Sequence, residues 1–301
     1  MLLDEADVQR LLRMDEVIAA METALAAFSQ RKVVQPVRTV VPVADHQGFL
    51  GVMPAYAGAL GVKLVTFYPQ NVGLPTHLAT ILLFRPETGE LLVTMDGRLI
   101  TEMRTAAASA VATRHLARPE SQVLGILGSG VQAHSHLEAL RLLYTFQDVR
   151  VWSPRHAQAF ANRHRARAVA SAQEAAEAAD IIVVATASTT PALKGEWLTP
   201  GTHINAVGAT RPDWRELDDE TLRRARLYVD SREAAGMESG DVMAADQVVG
   251  EIGEVIVGSK PGRTSAEEIT LFKSVGIAVE DVATANLVYQ KALAEAQNQN
   301  Q

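Results

Sequence analysis

Val123-Leu124-Gly125-Ile126-Leu127-Gly128-Ser129-Gly130-Val131-Gln132-Ala133 reads as a buried strand, a glycine turn and the start of a helix. Gly128, Gly130 and Ala133 fit the G-x-G-x-x-G/A spacing of a dinucleotide-binding turn. In such a turn the first glycine permits the tight bend and the second lets backbone approach a pyrophosphate. The small third residue lets helix and strand pack closely. A strand–glycine–helix turn also arises for structural reasons alone, so its neighbours decide. Residues 133–146 carry Leu137, Leu140 and Leu143 at helical spacing behind Ala133. Val149-Arg150-Val151-Trp152 then reads as a second strand, closing a βαβ unit of about 30 residues. Ser171 and Glu174 suggest a capping box for a helix through Ala179. Ile181-Ile182-Val183-Val184-Ala185-Thr186 is a continuous apolar run, as in a strand covered on both faces. Ile204-Asn205-Ala206-Val207-Gly208 and Leu227-Tyr228-Val229-Asp230 read as two further parallel strands. This alternation predicts an α/β fold with a Rossmann-type, doubly wound nucleotide domain.

The end of the second strand bears on which dinucleotide would bind. NAD sites place a carboxylate there for the ribose 2′-hydroxyl, whereas NADP sites place small polar and basic residues. Here the residues are Trp152-Ser153-Pro154-Arg155, and Asp148 lies at the opposite end of the strand. Ser153 and Arg155 can hold a 2′-phosphate, the arginine as a bidentate donor. The alternative for Arg155 is a solvated position at a helix start. NADP(H) is favoured, with NAD(H) the other candidate.

With 301 residues the chain is long enough for two domains, and 48% hydrophobic with 21% charged residues describes an ordinary globular protein. It has no cysteine, which excludes disulfides, thiol catalysis and cysteine-ligated metals and makes a cytoplasmic setting the default. Neither an 18-residue apolar run nor a signal-peptide pattern is seen, so no membrane association is expected. A net charge of −7 gives no electrostatic reason to bind nucleic acid. Arg163, His164, Arg165 and Arg167 read as a solvated helix end, and the polar tail 298–301 as frayed.

The residues ahead of the fingerprint form something else. Residues 5–30 read as one or two amphipathic helices. Thr39-Val40-Val41-Pro42-Val43, Gly61-Val62-Lys63-Leu64-Val65-Thr66 and residues 79–84 read as strands. The last joins residues 91–95 through a turn containing Gly89. A helix over residues 99–117 leads into the nucleotide domain, and a final helix over 279–296 returns to the first. The expected division is therefore 1–118 with 279–301 as a discontinuous α+β substrate domain, and 119–278 as the Rossmann domain.

Three cations stand out in the first domain. Lys63 sits between apolar neighbours in a strand, Arg104 opens Arg104-Thr105-Ala106-Ala107-Ala108 on a small-residue helix, and Arg38 precedes the first strand. Buried cations are costly unless paired. Together they would receive a substrate carboxylate; separately, each would snorkel or pair with an acid. His77 is a candidate proton donor or substrate contact. No metal-ligand spacing is present, and no metal is expected.

These blocks resemble the ornithine cyclodeaminase/mu-crystallin family over essentially the full chain. The matches are Gly61-Val62-Lys63, Arg104-Thr105-Ala106-Ala107, residues 128–133, residues 195–220, Glu238-Ser239-Gly240-Asp241, Phe272-Lys273-Ser274-Val275-Gly276 and Glu280-Asp281. The resemblance implies a homodimer built through the substrate domain and a small imino or amino acid as substrate. It implies that Arg38, Lys63 and Arg104 surround the carboxylate, with Val275 near the substrate. Thr76 or Thr80, Gly128, Gly130, Val131, Gln132, Ser153, Arg155, Thr186, Val207 and Ser274 would lie near the nicotinamide nucleotide.

Two positions depart from the cyclodeaminases. Their aspartate after the Val-Gly strand corresponds to Thr210, and their water-positioning glutamate to Gly51. A hydroxyl cannot act as a carboxylate base near neutral pH. Both changes suit reduction instead, as in the family's ketimine reductases. The expected activity is NAD(P)H-dependent reduction of Δ1-pyrroline-2-carboxylate or Δ1-piperideine-2-carboxylate, with Lys63, Arg104 and Thr210 as catalytic candidates. The alternatives are ornithine cyclodeaminase, an alanine dehydrogenase-like oxidoreductase and a non-enzymatic small-ligand carrier.

Overall fold

The computed structural model describes residues 1–299 and divides into two compact units. One unit comprises Met1–Arg104 with Gly276–Gln301, and the other Thr105–Val275.

The chain opens with β1 (Leu2–Leu3), α1 (Glu5–Leu11) and α2 (Met14–Ser29). Five strands follow: β2 (Thr39–Val43), β3 (Gly48–Tyr56), β4 (Leu60–Phe67), β5 (His77–Phe84) and β6 (Leu91–Asp96). Next comes α3 (Arg98–Leu116), which runs from the first unit into the second. The nucleotide-type unit continues with β7 (Val123–Leu127), α4 (Val131–Arg141), β8 (Asp148–Trp152), α5 (Ala157–His164), β9 (Arg167–Ala168), α6 (Ala172–Ala176) and β10 (Ile181–Val184). It is completed by β11 (His203–Ala206), α7 (Asp219–Arg224), β12 (Ala225–Val229), α8 (Arg232–Glu238), α9 (Gly240–Met243), β13 (Gly250–Glu251), α10 (Ile252–Ile256) and β14 (Ile269–Lys273). The last helix, α11 (Ala278–Gln299), belongs to the first unit.

In the first unit the sheet order is β1-β6-β5-β4-β3-β2, antiparallel except where β1 pairs with β6. Strand alternation sends Met53, Ala55, Val65, Ile81, Leu83, Val93 and Met95 into the core. The helix α11 lies against β3, β4, β5 and α2. Burying such large apolar side chains contributes about 1.5–3 kcal/mol each, so α11 is integral to this unit.

The second unit is a Rossmann-type sheet of order β13-β12-β14-β11-β10-β7-β8-β9, parallel throughout. From β7 the chain moves outward to β8 and β9, then returns to the other side through β10. Ligands of such sheets bind beyond the carboxyl ends of the strands at this reversal.

Several local expectations are corrected. The helix after the glycine turn ends at Arg141 rather than residue 146. Ser171 caps α6 by accepting from the Glu174 N–H, but the Glu174 carboxylate accepts from the Ala170 N–H. That helix stops at Ala176 because the chain turns through Ala178 at φ +54° into β10. Asn298 and Gln299 belong to α11, while Asn300 and Gln301 lie outside the described residues. The expected boundaries at 118/119 and 278/279 differ from the division at 104/105 and 275/276. The reason lies in α3: Ser109 bonds His136, Thr113 accepts from Asn205, and the Leu116 carbonyl accepts from Arg263 and Thr270. All of these partners belong to the second unit.

Candidate active site

Within the first unit, alternation along β4 turns Gly61, Lys63 and Val65 inward, so Lys63 is only 1% exposed. Its Nζ lies 2.6 Å from Oδ2 of Asp281. Arg104 reaches the same carboxylate through Nε at 3.0 Å and Glu280 through Nη1 at 2.7 Å. Both acids stand in the first turn of α11 and are fully buried. Arg38 is half-buried and donates to the Gly276 carbonyl at 3.1 Å. Gly276 has φ +79°, and a Cβ there would collide with the Arg104 guanidinium. The three cations are thus brought to one region with two carboxylates. Guanidinium groups bind carboxylates with planar geometry, so such a concentration of cations suits an anionic group.

Burial pushes the Lys63 pKa down, Asp281 opposes this and Arg104 adds to it, for a result of about 8. Burial would raise the Asp281 pKa, but Arg104 and Lys63 outweigh it and hold the carboxyl below its usual range. Lys63 therefore stays protonated at neutral pH while sitting close to its titration range. The two acids were missed as site residues in the sequence reading. Their available signal was a Glu-Asp pair in the first turn of a helix, next to Val279 and Val282.

Of two other candidates, Thr80 is not brought to this cluster, and His77 meets it through charge alone: desolvation and then Lys63 lower its pKa. Alternation puts His77 on the Lys63 face of the sheet, but four residues beyond Ile81, the register partner of Lys63. That is about 13 Å along the strand. His77 is exposed, packs on Phe67 at 4.5 Å between ring centroids, and has its Nδ1 3.3 Å from the Thr76 hydroxyl. Thr80 pairs with Leu64, so its exposed side chain projects from the opposite face. Gly51 is buried in β3.

Within the second unit, the other candidates gather at the carboxyl ends of the strands. Gly128 has φ +117° and packs against the Ala185 carbonyl, a geometry available only without a side chain. Its N–H donates to the Trp152 carbonyl at 2.8 Å. Gly130 is the exposed N-cap of α4, with no side chain capping that helix end, and Val131 beside it is exposed. The half-buried Gln132 has its Oε1 without a hydrogen-bond partner among the described residues. An uncapped helix start beside a glycine turn fits a pyrophosphate. After β8, the Ser129 hydroxyl donates to Ser153 Oγ at 2.9 Å, and Ser153 accepts from the His156 N–H. Arg155 is exposed next to them.

Thr186 follows β10 and Val207 follows β11. Thr210 is half-buried, in a loop whose preceding residue, Ala209, has φ +47°. Beyond β14, the Ser274 hydroxyl and the Val275 N–H both donate to Asp230, at 3.0 and 2.8 Å. Among the described residues, no group of three or more His, Cys, Asp or Glu side chains is arranged to hold a metal ion. None of the described helices is long and apolar enough to cross a membrane.

Residues 1–296 match the model of the ornithine cyclodeaminase/mu-crystallin family. The chain is 53% identical to ketimine reductase mu-crystallin of Mus musculus, across 95% of this chain and 96% of that protein. Among solved structures it resembles Thermococcus litoralis Δ1-pyrroline-2-carboxylate reductase in complex with NADH and L-proline. The TM-score there is 0.94, with 43% identity and 98% of both chains covered. An archaeal alanine dehydrogenase dimer with bound NAD has a TM-score of 0.92 and 37% identity, covering 98% of this chain and 97% of that one.

Proposed function

Since the chain belongs to the ornithine cyclodeaminase/mu-crystallin family, we propose that it is an NAD(P)H-dependent reductase of cyclic ketimine carboxylates. Its products would be proline- or pipecolate-like. The observation that carries this reading is the buried Lys63–Asp281–Arg104 cluster, which joins a carboxylate receptor to a proton donor. The mouse ketimine reductase and the reductase solved with NADH and L-proline support it.

In this reading Arg104 and Arg38 hold the substrate carboxylate. When bound, the reduced nicotinamide supplies a hydride to the carbon of the C=N bond, leaving the oxidised cofactor. The ring nitrogen takes a proton from the Lys63 ammonium, and solvent later reprotonates the lysine. Asp281 fixes Nζ and keeps the ammonium form populated near neutral pH. Thr210 orients the ring nitrogen or a water; as a hydroxyl it cannot replace a carboxylate base in deamination. Gly128, Gly130, Val131, Gln132, Thr186, Val207 and Ser274 line the nucleotide, Ser153 and Arg155 favour NADP(H), and Val275 borders the substrate. Thr80 projects from the opposite face and His77 feels the Lys63 charge from further along the strand, so we give them no role in the chemical step.

We also propose a homodimer formed through the first unit. Its sheet leaves Val52, Leu64 and Leu82 only half-covered and Val41 exposed on the same face, an apolar surface suited to a second copy.

The test follows loss of nicotinamide absorbance when purified protein meets NADPH or NADH with the five- and six-membered ketimine carboxylates. Turnover of at least one ring is expected. No turnover of either would overturn the proposal. Ammonia and proline formed from ornithine with only catalytic NAD would replace it with the cyclodeaminase reading, and ammonia-dependent reduction of pyruvate with the alanine dehydrogenase reading.

A further inference from the structure

Below the carboxyl edge of the Rossmann sheet lies a second group of buried charges, on residues with no part in the chemistry above. Lys273 ends β14 and is fully buried. Its Nζ donates to the Gly208 carbonyl and lies 3.4 Å from Asp241 Oδ2 and 3.8 Å from Glu216 Oε2. Glu216 is also fully buried, and its Oε1 accepts from both the N–H and the hydroxyl of Thr186, each at 2.7 Å. Asp241 accepts from the backbone N–H groups of Glu216 and Leu217, both at 3.1 Å.

We propose that Lys273, Glu216 and Asp241 form a clamp that positions the Thr210 loop and Thr186 together. They are positioning residues, acting through the backbone of other residues. The loop is held on both sides of Thr210. Lys273 takes the Gly208 carbonyl, and the Gly240 N–H at the start of α9 takes the Arg211 carbonyl at 3.1 Å. Between these anchors Ala209 adopts a left-handed conformation that costs about 1–3 kcal/mol and persists only when its surroundings enforce it. The same carboxylate that neighbours Lys273 fixes Thr186, so one ionic group ties a nucleotide-contact candidate to the loop carrying Thr210.

The groups facing Glu216 are Lys273 from β14, Asp241 from α9 and Thr186 after β10, while Arg215 lies 3.9 Å from Asp241. Lys273 and Arg215 together match the two carboxylates in charge, so burial is what perturbs Glu216 most. Burial accordingly raises the Glu216 pKa, Lys273 and Thr186 oppose this, and the carboxyl stands at about 7. Below that pH Glu216 gains a proton, loses its attraction for Lys273 and loosens the clamp. Above it, Glu216 is ionised and the clamp is tight.

Only the kinetic part of the test rests on the proposed reductase activity. The chain has three tryptophans, so Trp152→Phe with Trp197→Phe leaves Trp214, in the clamped loop, as the sole reporter. In that background Lys273→Met should raise acrylamide quenching of Trp214 about twofold, and quenching in its Lys273-containing parent should rise as pH falls through about 7. Glu216→Gln retains an acceptor for Thr186 but cannot ionise, so its quenching should be independent of pH across that range. With ketimine, Lys273→Met should lower kcat about tenfold with less change in KM, as misplacement of a reacting group predicts, and Lys273→Arg should restore part of it. Quenching that ignores Lys273→Met and keeps the same pH step in Glu216→Gln would overturn the clamp, even if the enzyme reduces ketimines. If Lys273→Met does not fold, the pH response of Glu216→Gln decides alone. Absence of turnover in the unmodified protein would instead overturn the reductase reading and leave the fluorescence result standing.

Discussion

Lys63 and Asp281 are 218 positions apart in sequence yet 2.6 Å apart in the fold, and burial of the lysine, opposed by that contact, sets the working pH of the proposed reaction. The ammonium is the acid form, and its pKa lies at about 8. Raising the pH through that value removes both the proton to be donated and a positive charge near the carboxylate. The reductive kcat should therefore fall by about tenfold per pH unit above it. Lys63→Arg, which stays protonated, should move that limb out of the measurable range while lowering the maximum rate. A pH–rate profile of the two proteins with a saturating ketimine checks this, and superimposable alkaline limbs would contradict it. Lys63 and Arg104 were legible in the sequence because a charge inside an apolar strand or a run of small helical residues is anomalous. Their acids were not, because Glu and Asp in a first helical turn are also what any helix dipole favours.

Among the elements, β8 makes the cofactor choice visible. It ends at Trp152, and Ser153 and Arg155 follow, the serine already oriented by Ser129 and the His156 N–H. Arg155→Ala should weaken NADPH binding about 10- to 100-fold, the loss of one or two charge-assisted hydrogen bonds, while NADH affinity stays within about twofold. Fluorescence titration of both nucleotides reads this directly, and equal losses would remove the assignment to a 2′-phosphate. Elements such as β10, a run of Ile and Val, were legible because such residues suit a strand buried on both faces. The long strand β3 was not, because Gly48, Gly51 and Pro54 break its pattern. Neither was β14, whose short Ile269–Lys273 run ends in a fully buried lysine that no periodicity marks as internal.

For the whole molecule, the proposed dimer should give a light-scattering mass near twice 32.4 kDa. Leu82→Arg, on the half-covered face of the six-stranded sheet, should shift the protein towards monomer, because desolvating an unpaired charge at an interface is costly. A dimer unaffected by that change would place the interface elsewhere. The two-unit organisation was legible from the late position of the glycine turn. The path of the sheet was not: β14 follows β12 and β13 in sequence but sits between β11 and β12. A growing polypeptide emerging from a ribosome therefore cannot close this sheet in the order it is made. It must keep β11 and β12 apart until residues 269–273 emerge, and the first unit waits longer still for α11. Lys63 and Arg104 remain without Glu280 and Asp281 throughout that interval. The carboxylate-binding cluster can therefore form only after the whole of the intervening Rossmann-type unit has been made.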